Sequence, residues 1–185
     1  LADHQNPDGG WGDTTLSVSN ISTTALGWAV FAVPEAAAFA AVGAKAERWL
    51  TRAAGSLEPP TLANAIADRY GKDRTFSVPI LTMLALAGRL GPAGWRLVPQ
   101  LPFELAACPF EWFQLVKLPV VSYALPALVA MGHVRHAMRP SRNPLLRGVR
   151  ALVGGRTLRL LREIQPTTGG YLEATPLTSF VAMSL

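Results

Sequence analysis

Cys108 stands alone among 185 residues. A single thiol excludes an intramolecular disulfide framework and any zinc site built on several cysteines, and it fits a reducing compartment. Charge is scarce as well, with 16% Asp, Glu, Lys and Arg, against about 25% in an ordinary soluble domain. A chain so poor in charge packs against something else or touches lipid. Asp does not occur beyond Asp73, so the Asp-rich signature of an acid catalyst is missing. Long apolar runs are missing too. The uncharged stretches 75–88 and 118–132 fall short of the roughly 18–20 residues that a spanning helix needs. The longer uncharged run 14–34 opens on Ser, Thr and Asn, which suit a loop and a helix start. No membrane span is expected, and no signal peptide is visible. The chain starts without Met and stops at Leu185 inside an apolar run, so both ends are expected to be cuts.

What is present reads as helix almost throughout. The length suits one domain, 1–185, with ample chain for a core. Asn20 and Ser22 are capping candidates before the run "TTALGWAVFAV". Pro34 suits the first turn of a helix that ends near Gly55, and Pro59 and Pro60 open another that ends near Gly71. Two apolar helices follow; Pro79 lies early in the first, and Pro126 should kink or interrupt the second. The prolines at 99, 102, 109 and 119 between them imply an irregular connector with short helical pieces. No stretch alternates apolar and polar long enough for a sheet. The fold class expected is all-α, a stack of helical hairpins that repeat in kind.

The charge is lopsided. Lys and Arg number 17 against 12 acids, and eight arginines from Arg135 to Arg162 run without an acid among them. Such a run is ordinarily a solvated helix face. The competing reading is contact with anionic headgroups, where each basic residue contributes about 1 kcal/mol. Nucleic acid is the weaker option, because no aromatic interleaves with the arginines. Arg135, Arg139, Arg142, Arg147 and Arg150 are the residues expected to face a membrane. His133 and His136 are three apart, but no nearby Cys, Asp or Glu completes a metal site; they read as surface residues. No Gly-x-Ser-x-Gly elbow or phosphate loop occurs.

One pattern recurs. "QNPDGGW" and "QPTTGGY" each set a glutamine six positions before an aromatic, with Gly-Gly just ahead of the ring. Gln5, Gly9, Gly10 and Trp11 form the first set, and Gln165, Gly169, Gly170 and Tyr171 the second. The glycine pair permits a tight turn with positive φ. The glutamine amide can satisfy free backbone groups at helix ends, and a ring stacked on it would hold it. The plain alternative is a pair of ordinary loops linking helices.

These loops resemble the QW motif of the triterpene cyclases, the squalene–hopene cyclase family, with Tyr171 in place of Trp. "LALAGRLGPAGWRLVPQLPFEL" and "KLPVVSYALPALVAMG" resemble further family segments, so the likeness spans the whole chain as a piece of the N-terminal half of a cyclase. It implies a partial α/α toroid in which QW loops clamp outer helices. It implies a monotopic enzyme on the cytoplasmic face of the cell membrane that takes a linear, squalene-like polyprene and needs no cofactor or metal. A DxDD acid protonates the substrate, and aromatic faces stabilise the carbocations that follow. By this resemblance Met83, Tyr123, Ala174, Thr175, Pro176 and Phe180 line the cavity, although Tyr123 also reads as plain core.

Departures stand beside the likeness. DxDD is absent here, so this segment alone should be inactive. Thr175 stands where a Gln is common and Phe180 where a Tyr is usual, which leaves the terminating base open; Glu173 is a replacement polar group, or else a surface residue. The competing function is a stand-alone helical-repeat protein that binds isoprenoid or lipid without chemistry. A prenyltransferase β-type subunit fits less well, since it needs Asp, Cys and His zinc ligands. Whether the molecule dimerises is left open.

Overall fold

Asn20 starts the first helix. Its side-chain oxygen accepts from the N–H groups of Ser22 and Thr23, two donors that a helix start otherwise leaves free. The computed structural model describes residues 1–32, 38–71, 74–108, 125–171 and 174–185. Among these lie seven α-helices and no strand, so the all-α expectation holds. They are α1 (Ile21–Val30), α2 (Ala40–Ala54), α3 (Pro59–Tyr70), α4 (Arg74–Leu86), α5 (Leu125–Met138), α6 (Pro144–Glu163) and α7 (Thr175–Ser184). Short 3-10 turns cover Ala2–His4, Gly94–Arg96 and Phe103–Ala107.

Punctuation follows the residues. α2 stops at Gly55, whose φ of +88° lies in the left-handed region that glycine occupies without steric cost. α3 carries prolines at its first two positions and ends at Gly71, as expected. Pro79 sits inside α4, which runs on past it. Pro126 lies in α5, which runs on past it to Met138. The expected helix start at Pro34, and Tyr123 and Glu173, lie outside the described residues.

Two compact units divide the chain, Leu1–Val98 and Pro99–Leu185. In the first, α1 packs on α2 and α4, and α3 on α2 and α4. Ala25, Ala46, Leu50, Leu62, Ile66, Val78 and Leu84 are buried there; truncating one such leucine to alanine costs about 2–5 kcal/mol. Arg89 ties α1 to α2. Its guanidinium donates twice to the Trp28 carbonyl, at 3.2 and 2.9 Å, and lies 4.3 Å from the Trp28 ring centroid. Glu47 accepts the Trp28 indole N–H at 3.0 Å. In the second unit α5 packs against α6, α7 and the turn Phe103–Ala107. Its core joins Val129, Ala130, Leu161, Tyr171 and Val181. No described helix is long and apolar enough to cross a membrane.

Candidate functional site

The two Gln-to-aromatic loops share one hydrogen-bond skeleton. The Gln5 amide nitrogen donates to the Gly9 carbonyl at 2.9 Å, and that of Gln165 to the Gly169 carbonyl at 2.8 Å. Gly9 N–H donates back to Asn6 O at 2.9 Å, and Gly169 N–H to Pro166 O at 2.9 Å. Both glycines are left-handed, with φ of +94° and +83°, which explains glycine at the first place of each pair. The carbonyl turned inward by this conformation is the one the glutamine reads.

Two further contacts were not foreseen. Trp11 N–H donates to Thr24 Oγ1 at 3.0 Å, and Tyr171 N–H to Thr178 Oγ1 at 2.8 Å. Each threonine is the fourth residue of the helix that follows, α1 or α7. The chain separations differ, thirteen residues against seven, because the first loop carries the extra stretch before Asn20. A search at fixed spacing therefore misses the pair, and only position within the helix reveals it. The ring tips match as well. Trp11 Nε1–H donates to Leu1 O at 3.1 Å, and the Tyr171 hydroxyl to Leu161 O at 3.1 Å, each ten residues back. Leu161 lies in the last turn of α6, where carbonyls lack helix partners. Tyrosine replaces tryptophan here because both carry one donor at the far end of an apolar ring. Burial pushes the Tyr171 hydroxyl pKa up, which keeps it a donor.

The surroundings differ. The Gln5 amide also donates to Val42 O in the first turn of α2, at 2.9 Å. Asp8 accepts from Gly10 N–H, the Ser19 hydroxyl and the Trp49 indole. Burial alone would raise its pKa, but these hydrogen bonds and the Arg52 charge hold it below the usual carboxylate value. Arg52 donates to the Asp8 carbonyl at 2.9 Å. The Trp11 ring rests on Gly27, where an added Cβ would meet it at 2.7 Å, and stacks on Phe31 at 5.9 Å. The second loop has no matching contact among the described residues: Gln165 and Gly169 are exposed, and none of those residues lies within 4 Å of a Cβ built on Gly169.

The basic run is only partly a surface. Arg135 and Arg150 are 8% and 7% exposed, which corrects their expected membrane-facing role. Arg150 forms a bidentate pair with Glu104 at 3.0 and 2.9 Å. Arg135 donates to the Arg139 carbonyl at 2.7 Å. A guanidinium can be buried where an acid and carbonyls meet its fork of donors. Arg139 is half-buried, and Arg142 and Arg147 are exposed. His133 and His136 are half-buried rather than on the surface. The exposed apolar line of α6 went unread: Leu145 and Leu152 are 78% and 85% exposed, with Val149 between them. At spacings of four and three these share one face, and exposed Arg156 and Arg159 continue it.

Of the expected cavity residues, Met83 is buried in α4 of the first unit. Ala174 caps α7, Thr175 and Pro176 are exposed in its first turn, and Phe180 is half-buried further along it. Ala174 N–H donates to Tyr171 O at 3.1 Å, so the second loop positions this group directly. Four of the described carboxylates are committed: Asp8 to its loop, Asp13 to Asn20 and Thr23, Glu47 to Trp28, and Glu104 to Arg150. Among the described residues no cluster could hold a metal ion. No protein family, curated protein or solved structure matches the chain.

Proposed function

We propose that the chain is part of a class II triterpene cyclase, forming toroid wall, membrane-side channel and one face of the cavity. The observation that carries this reading is the shared skeleton of the two loops. Glutamine, glycine, ring and threonine each do the same job twice, as expected of QW-type clamps that lock helix ends during a strongly exothermic reaction. The substrate is a linear, squalene-like polyprene, and the acid that protonates it lies on another part of the polypeptide. On this reading Ala174, Thr175, Pro176 and Phe180 of the second unit line one face of the cavity. Thr175 and Phe180 stand in place of the family's usual residues at the site of final deprotonation, so the terminating base is built differently.

The same reading places the protein at the cytoplasmic face of the membrane. Leu145, Val149 and Leu152 are available to lipid, and burying each contributes about 1.5–3 kcal/mol. Arg156 lies roughly 16 Å along the axis from Leu145, within reach of headgroups while the apolar tip inserts. This stripe favours equally the second reading, a helical-repeat protein that binds isoprenoid without chemistry.

Two measurements separate them. The native polypeptide, detected in its source cells with an antibody to this segment and incubated with squalene, should have a mass several times 19.8 kDa and yield cyclised product. A native mass near 19.8 kDa, with squalene bound but unchanged, would replace the cyclase with the binding protein. Flotation with anionic vesicles should weaken as salt rises; equal flotation on neutral vesicles removes the arginines from the argument.

A further inference from the structure

The second unit contains a packed cluster that neither reading uses. His133 and His136 of α5 meet Phe103, with ring centroids 4.0 and 6.0 Å away. Arg150 of α6 lies 5.7 Å from the Phe103 ring centroid and grips Glu104 beside it. His133 Nε2 is 2.8 Å from Thr157 Oγ1 on α6, and that hydroxyl donates to the Gly154 carbonyl at 3.0 Å. A hydroxyl has one proton. With it given to Gly154, the oxygen accepts from Nε2–H, so neutral His133 carries its proton there. Among the described residues His136 Nδ1 is buried without a hydrogen-bond partner, so a proton added there meets no acceptor among them.

The charges around the pair are mostly positive. Arg150 and Arg147 face His136 from α6 and Arg135 from its own helix, while Glu104 of the 3-10 turn is the one opposing charge among the described residues. Glu104 already holds Arg150 by both oxygens. His133 faces His136, and α7, which also packs on α5, carries no titratable side chain.

We propose that this cluster is an acid-sensitive latch: protonating His133 and His136 loosens α5 from α6 and the Phe103–Ala107 turn, opening the second unit while the first stays closed. The first unit has only His4, which is exposed. Burial, then the neighbouring positive groups, depresses both histidines below the ordinary 6.5. The unfolded chain takes up those protons near pH 6.5, the folded one only at lower pH. The stability they contribute is therefore complete above about 6.5 and lost as pH falls through the folded values. Burial would raise the Glu104 pKa, but Arg150's hydrogen bonds hold it below the usual value, so that pair stays charged through this window.

The test is amide exchange on the 185-residue chain, corrected for intrinsic pH dependence, at pH 7.5 and 5.5. Protection in α5 and α6 should fall about tenfold while α1–α4 change less than threefold. The double variant His133→Gln, His136→Asn keeps a donor for Thr157 and should lose the pH response. An equal fall in the variant, or in α1–α4, overturns the latch. If the variant does not fold, ring-proton titration of the unaltered chain decides: midpoints below 6.5 for both histidines support it, and a midpoint at or above 6.5 overturns it.

Discussion

Residues 5–11 and 165–171 build the same turn, yet the first is clamped to a helix and the second has no matching clamp among the described residues. In the first loop the glutamine has a second acceptor on α2, Asp8 gathers three donors, and Gly9 lies so close to Lys45 that a Cβ would stand 2.8 Å from its carbonyl. In the second, Gln165 serves its own loop alone among the described residues, and Thr168 occupies the place of Asp8. The difference teaches which parts are intrinsic. The glutamine–glycine bond, the left-handed glycine, the threonine anchor and the ring-tip donation recur where no contact like that to α2 is present among the described residues, so they form the turn. The contacts to α2 are what a formed turn does to its neighbour.

Four matched pairs of substitutions break or sharpen that comparison. Gly9→Ala carries both left-handed strain and a clash with the Lys45 backbone and should cost about 3–5 kcal/mol. Gly169→Ala carries only the strain and should cost about 1–2 kcal/mol. Urea unfolding of each variant reads the gap, and equal costs would show that the α2 contact is not rigid. Thr24→Val removes the acceptor of a buried N–H and should destabilise by about 2–3 kcal/mol, against about 1–2 kcal/mol for the half-buried Thr178→Val. Tyr171→Phe should lose about 1 kcal/mol, while Tyr171→Trp, with a donor at the same end, should retain most of the stability; a thermal melt in which Trp fares worse than Phe would refute the shared ring-tip role. Gln165→Leu should cost under about 1 kcal/mol, and Gln5→Leu about twice as much, since two bonds are lost rather than one.

Much of the turn was legible from residue types. Gln5 and Gln165, the glycine pairs and the rings follow from spacing alone, because a left-handed residue and an amide four places earlier are local chemistry. Thr24 and Thr178 were not, since their chain distances from the ring differ while their helix positions agree. The helix α6 was read mainly as a run of charge, although Asn143 followed by Pro144 is a ready start: the asparagine oxygen accepts from Leu145 and Leu146 N–H. The acid-free arginine run points Arg135 and Arg150 toward a membrane surface, and arginine is usually exposed. Glu104, forty-six residues away from Arg150, reverses that, and no local pattern announces it.

By itself the sequence determined the helices, their punctuation at Asn20, Gly55, Pro59 and Gly71, and the two turns, all of which depend on residues a few places apart. Only tertiary structure decided which arginines are buried, that His133 and His136 press on Phe103, and that the first loop grips α2. Those outcomes depend on which distant elements meet, and the partner that desolvates or pairs a side chain leaves no mark on the residues beside it.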